Sequence, residues 1–247
     1  MQDFRLYQPG ACRTYRRTMG RYRPGLADIM AAVGIAAWYH VHLRPWMYTW
    51  GARNDEIAAV MPGDDMVEAI PSRPSPRTTR AVTVDAPPAQ VWPWLAQIGE
   101  DRGGFYSYSL LERAVGADMH NAAIVHPEWQ QLNTGDTVWL ARRYGPAARQ
   151  IVAAVEPGSH LVLVSPADFD RLDRGQKASG CWSFTLRPDG DRTRLIARGS
   201  GGPVGHFWFD VPHFVMEQKM LRGIARRVER SRGATAPHAE VAALPTP

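Results

Sequence analysis

The sequence predicts an α+β fold: an antiparallel sheet wrapped around one long C-terminal helix, with an extra helical segment ahead of it. Three observations carry this. The periodicity runs strand, two short helices, a group of strands, then a long helix, and such segregation argues against alternating βαβ units. Turn signals, Glu156-Pro157-Gly158-Ser159 and Pro188-Asp189-Gly190-Asp191, separate successive strands closely enough for antiparallel pairing. The last periodic stretch carries Phe214, Leu221, Ile224 and Val228 near heptad spacing, an apolar stripe for one face of a helix.

The elements follow in order. Residues 1–24 hold six arginines against Asp3, which accounts for the whole net charge of +5. A basic tail of this kind reads as a binder of anionic surfaces. Leu26 to Leu43 is an 18-residue, mostly apolar stretch interrupted by Asp28, His40 and His42. It reads as a membrane span, an interfacial helix, or a helix packed on its own domain. Trp38, Tyr39, Trp46, Tyr48 and Trp50 would suit an interfacial aromatic belt. Residues 1–50 therefore form one segment, a basic tail plus an apolar helix. Residues 51–77, with prolines at 62, 71, 74 and 76, read as a linker, because proline removes a backbone donor and restricts its predecessor.

The domain proper is expected over 78–232 and a disordered tail over 233–247. Thr79–Val84 alternates as a strand. Pro87-Pro88 opens a helix in which Val91, Trp92, Leu95 and Ile98 recur at helical spacing through Gly99. A second short helix is expected at Tyr108–Val115. Strands are expected at Thr137–Arg142, Gln150–Val155, His160–Ser165, Cys181–Leu186 and Thr193–Arg198. Trp182, Phe184 and Leu186 share one face, opposite Leu195 and Ala197. The closing helix is expected at about Val211–Ser231, and the space between it and the sheet is where a ligand pocket would lie.

Composition bounds the function. Hydrophobic content of 45% and charged content of 21% are those of a globular protein and exclude wholesale disorder. Cys12 and Cys181 make no disulfide framework or zinc spacing and leave the compartment open. Asp118, His120, His126 and Glu128 form a loose polar group whose spacing matches no established metal pattern, so no metal and no cofactor is expected. Gly103-Gly104 lacks the Gly-Lys-Ser/Thr ending of a phosphate loop, and no Gly-x-Ser-x-Gly elbow occurs. Arg222, Arg226, Arg227, Arg230 and Arg232 complement the helix dipole at a C-terminus, and no specific nucleic-acid partner is expected.

Four local patterns carry a family resemblance: TRAVTVDAPPAQVWPWLAQIG, DRGGFYSYSLLERAVGADMHNA followed by HPEWQQLNTGDTVWL, CWSFTLRPDGDRTRLIAR, and PHFVMEQKMLRGIARRVE. Together they cover about residues 78–230, and the chain resembles the SRPBCC superfamily (START, Bet v 1 and polyketide cyclase-dehydratase-like proteins). The resemblance implies a helix-grip fold with an internal apolar pocket and leaves the activity open.

The expected function is binding of a small hydrophobic ligand, lipid or polyketide-like, in that pocket. Two alternatives stand beside it: a cyclase/dehydratase-type enzyme, and a membrane-tethered interaction protein without catalysis. Glu217 sits inside the apolar stripe and His213 four residues before it, which makes them the candidate acid/base pair. A carboxylate facing such a pocket has a raised pKa unless paired; the other reading has Glu217 solvated at the helix edge or bridging an arginine. Candidate ligand contacts are Tyr106, Tyr108, His120, Trp139, Trp182, Phe214, Glu217 and Leu221. The expected partners are a small hydrophobic molecule and, through residues 1–43, an anionic membrane surface. The expected location is cytoplasmic or membrane-associated.

Overall fold

The computed structural model describes residues 25–69, 77–108 and 119–235. The basic tail, residues 70–76, most of the expected second helix (with Asp118 just beyond it) and the end of the C-terminal tail lie outside these. The chain divides near Val41 into an N-terminal unit and a unit from His42 onward.

In the N-terminal unit, α1 (Leu26–Trp38) starts where the Gly25 N–H donates to Asp28 Oδ2 at 2.9 Å. No residue of α1 is buried. A π-helical turn, Tyr39–Leu43, follows it across the division, and α2 (Arg44–Tyr48) is the first helix of the larger unit. Pro45 has no N–H for the Val41 carbonyl, which fits the widened turn ahead of it.

In the larger unit a six-stranded antiparallel sheet, ordered β1-β6-β5-β4-β3-β2, grips a long C-terminal helix. The strands are β1 (Arg77–Val84), β2 (Thr137–Trp139), β3 (Arg149–Glu156), β4 (His160–Val164), β5 (Gly180–Asp189) and β6 (Arg192–Gly201). The helices are α3 (Asn54–Ala58), α4 (Pro88–Ala96), α5 (Pro166–Asp173) and the closing α6 (Phe207–Thr235). This is the α+β helix-grip layout. Register follows the period of two: Phe184 pairs with Ala197 and Leu186 with Leu195, so these side chains share the inner face. They form the core with Leu161, Leu163, Val91 and Leu95, and with Leu221, Ile224 and Val228 of α6.

Several boundaries differ from the sequence reading, each for a physical reason. The strand expected to reach Arg142 ends at Trp139, because a 3-10 segment, Arg142–Ala148, takes over. The helix expected to reach Gly99 ends at Ala96, and Gly99 lies at φ 132. Tyr108 is not helical. α5 was not expected; Ser165 caps it by accepting from the Asp168 N–H at 3.1 Å, with Pro166 behind it. α6 runs beyond both expected ends, through Thr235, and contains Pro212.

Residues 51–69 are not a free linker. They lie against the outer face of the sheet, held by two arginines of β6. Arg194 Nε and Nη2 each donate to the Glu56 carboxylate at 2.7 Å. Arg198 Nη1 donates to Asp64 Oδ2 at 2.5 Å and to the Ala59 carbonyl at 2.7 Å. Met61 packs with Ala81 and Ile196 beside them. Further along the same face, Phe169 and Leu172 of α5 cover Val162 and Val164.

Candidate functional site

A cavity of ≈340 Å³ lies between the inner face of the sheet and the first half of α6. Three elements shape it. From α6, Phe209, His213, Met216, Glu217 and Met220 face it, at the spacing of one helix face. From the sheet, Trp182 and the glycine-rich end of β6, Gly199 to Gly202, close one side. Gly201 is at φ +63, and a Cβ there would sit 2.1 Å from the Ser179 carbonyl oxygen, so a glycine is what lets the two strands meet at the rim. A loop carrying Phe105 and Ser107 closes the far side. That loop reaches α6 through another glycine: a Cβ at Gly223 would stand 2.4 Å from the Tyr106 carbonyl oxygen.

The wall is largely apolar, with two polar groups on it, one around Glu217 and one at Ser165 and Asp168. Glu217, 2% exposed, accepts from Arg80 Nη1 at 2.6 Å and from Trp182 Nε1 at 2.6 Å. Arg80 comes from β1, where the inner-face register places it opposite Ala197. Its Nε donates to the Met47 carbonyl at 2.7 Å, which ties α2 to the cluster. Its Nη1 also lies 3.1 Å from His213 Nδ1. A guanidinium only donates, so Nδ1 is the acceptor and the proton of a neutral His213 sits on Nε2. Nε2 is 3.9 Å from Glu217 Oε1.

Electrostatics follow from this geometry. Burial pushes the Glu217 carboxyl up, but the charge of Arg80, the hydrogen bonds from Arg80 and Trp182 and, once His213 is protonated in acid, its charge outweigh it, so the pKa lies below the ordinary value. Burial pushes His213 down, and the Arg80 charge adds to this against the pull of Glu217. The site therefore presents an ionised carboxylate and a neutral imidazole at pH 7. The alternative of a raised, protonated Glu217 is overturned by Arg80. Asp168, the other carboxylate at the cavity, accepts from Ser179 N–H at 2.7 Å and from the Ser165 and Ser179 hydroxyls. These bonds hold α5 to the start of β5.

Of the sequence candidates, His213, Trp182 and Glu217 meet at the cavity; the others are elsewhere. Tyr106 is buried against Trp94, accepts from Gln97 Nε2 at 2.8 Å and has Arg227 over its ring. Burial pushes its hydroxyl up to about 12. Tyr108 is at the surface beneath Lys219. His120 is exposed. Trp139 lies under Arg142 and Arg149. Phe214 is one residue, hence about 100° of helix, away from His213, and packs on Trp46 and Trp50 instead. Leu221 lies wholly in the core. His126 Nδ1 and Glu128 lie 3.3 Å apart on the surface, and no group of three metal-ligating side chains gathers among the described residues.

Sequence reasoning missed Arg80, Ser107 and Phe209. Arg80 carried a signal: it occupies an inner position, i and i+2 with Val82 and Val84, of an alternating strand.

No protein-family model matches the chain, and no curated protein does. Among solved structures, the chain is similar to DynU16, from the dynemicin biosynthetic locus, at 17% identity and TM-score 0.37, over 64% of this chain. It spans about half of that protein, 49% of its length. It is also similar to CalU16 from Micromonospora echinospora, at 16% identity and TM-score 0.31, over 67% of this chain and 92% of that one. The Polyketide_cyc-like protein Cgl2372 from Corynebacterium glutamicum matches at 16% identity and TM-score 0.32, over 68% and 99%. These are likenesses of architecture; the fold described above rests on the chain's own strand register.

Proposed function

We propose that the protein binds one small, mainly apolar molecule in the cavity between the sheet and α6. The observation that carries this is the cavity itself: ≈340 Å³, walled by groups such as Phe105, Trp182, Met216 and Met220, with few polar groups, chiefly Glu217, His213 and Asp168. Its volume falls within the range of about 300–1,000 Å³ usual for small-molecule sites, and a few convergent polar groups on an apolar wall fix a ligand's orientation. The His213 Nε2–H offers a donor to a carbonyl or hydroxyl of the ligand. The Glu217 carboxylate takes no proton at neutral pH and anchors Trp182 and Arg80 around that donor.

Native mass spectrometry with organic extraction of the full chain from its own host tests this. A single apolar species near one per chain is the expected result. Met216→Trp, which fills the cavity, should lower that occupancy several-fold while thermal melting stays unchanged. A ligand retained at full occupancy by the filled variant would place it elsewhere and sink the reading.

A second reading, turnover of the cyclase or dehydratase type, is favoured by one observation. His213 is neutral, partly buried, and held in a single tautomer by Arg80. That is the state in which an imidazole moves a proton near pH 7. His213→Gln separates the two readings: a carrier loses modest affinity, whereas an enzyme keeps binding and loses turnover.

A further inference from the structure

We propose that Leu26–Leu43 spans a lipid bilayer, with the arginine-rich flank on the cytoplasmic side and the cavity-bearing domain on the other. Four observations support this.

The helix Leu26–Tyr48 is 23 residues long, and its 18-residue apolar window has a mean hydropathy of 1.3. Its first 18 residues are followed by α2, which is fastened to the domain: Tyr48 donates to Asp210 Oδ2 at 2.5 Å, and Arg44 stands 3.8 Å from the same carboxylate. Eighteen helical residues rise about 27 Å, close to the ~30 Å hydrocarbon thickness of a bilayer.

The second observation is how α1 meets its surroundings. None of its residues is buried, and Leu26, Ile29, Met30, Val33, Ile35 and Trp38 are all exposed. At 100° per residue these positions reach around most of the helix. An interfacial helix needs one strongly polar face, and α1 has none, because Asp28 is its one charged residue. Asp28 lies in the first turn, within reach of a headgroup layer. A helix apolar on all sides is covered by protein or by lipid, and the length of the apolar stretch favours lipid.

The third is the charge on the two flanks. The 20 residues before Leu26 contain Arg13, Arg16, Arg17, Arg21 and Arg23; the 20 after Leu43 contain only Arg44 and Arg53. An excess of basic residues within about 15–20 residues of a span marks its cytoplasmic end.

The fourth is at the domain's own surface. Asp210, the anchor point of α2, belongs to the first turn of α6, where Phe207 and Trp208 are exposed and Phe209 lines the cavity. Arg44 follows Leu43 directly, so α2 and the aromatic residues Trp46 and Trp50 come immediately after the span in sequence, and aromatic side chains suit an interfacial layer.

The test uses the full chain in a bacterial host, in two arms. Membranes are washed at alkaline pH with carbonate, and the chain is expected to stay in the pellet. Val33→Asp with Ile35→Asp should release most of it, with the thermal melt of the domain unchanged. C-terminal fusions then read topology: a phosphatase that is active only after export should be active, and a fluorescent protein that matures only in the cytoplasm should stay dark. Release of the unaltered chain by carbonate overturns the span. Release as a dimer in gel filtration overturns it too, and assigns the face of α1 to a second copy. A fluorescent fusion overturns the orientation.

Discussion

The two faces of the sheet use buried arginine differently. On the outer face, Arg194 and Arg198 bind mostly to main-chain carbonyls and to the carboxylates of Glu56 and Asp64. Donors on every nitrogen of both guanidinium groups are engaged, Nε and Nη1 of the pair also meeting Thr79 and Thr83. These side chains strap one piece of chain to another. On the inner face, Arg80 is fully buried, yet its Nη2 has no hydrogen-bond partner. Its other donors go to the Met47 carbonyl and to two groups that line the cavity, Glu217 and His213. Leaving a buried donor unmatched costs about 1–3 kcal/mol. The comparison teaches where stability and chemistry separate: the outer arginines are saturated and structural, the inner one is under-satisfied and set against the cavity.

The sharpest way to break the comparison is to remove one inner charge. Arg80→Met leaves Glu217 buried without its counter-ion and should destabilise the domain by about 3–5 kcal/mol in denaturant unfolding. Adding Glu217→Leu removes the orphaned charge, so the double variant should regain most of that loss. Two single losses that simply add would show the pair to be uncoupled.

A smaller effect is expected outside. Glu56→Gln leaves Arg194 with Thr83 and the Gly51 carbonyl as acceptors, so the loss should be about 1–3 kcal/mol. Affinity for an apolar fluorescent probe in the cavity should not change. A probe affinity that falls with Glu56→Gln would mean that the strap shapes the cavity after all.

The smallest effect is in pH. The folded-state pKa of His213 is lowered from 6.5, so the unfolded chain binds the proton first as pH falls. Its contribution to stability is complete above 6.5 and lost as pH falls toward the folded value. Glu217, lowered from 4.5, acts the same way further down, its contribution present above 4.5 and lost in more acid solution. Unfolding free energy measured from pH 8 to 5 should decline, and His213→Gln should flatten the decline. A slope unchanged by that substitution would assign it to other groups.

The fold was legible because its signals are local. Alternation in CWSFTL and RLIAR gave the inner face, and the Pro188-Asp189-Gly190 turn gave the hairpin. The strap over residues 51–69 was hidden because Pro62 and the prolines just beyond it, at 71, 74 and 76, advertise a linker, whereas Glu56 meets its partner 138 positions away. α5 carried a cap signal, Ser165-Pro166 with Asp168 three on, but only Phe169 and Leu172 as apolar anchors. For the site, the helix period brought His213 and Glu217 together, four residues apart. It did not say which apolar neighbours face the cavity: Phe214 and Leu221 share the helix but turn to other contacts. Tyr106 and Tyr108 lie in a loop, where no periodicity fixes direction, and the structure turns the first inward to Gln97 and the second outward.

Pro212 divides α6 into a tip and a rod. It has no N–H to offer the Trp208 carbonyl, so the turn bearing Trp208 and Phe209 is joined to the rest by one fewer helical bond than any later turn. From Met216 onward the helix is held in the core by Leu221, Ile224 and Val228. The tip is held instead through Asp210, which accepts from the Tyr48 hydroxyl and the Gly205 N–H. Opening at this edge of the cavity would part the ties of Asp210 and leave those of Glu217 to Arg80 and Trp182 in place, so the contacts that gate Phe209 are distinct from the cluster on the wall.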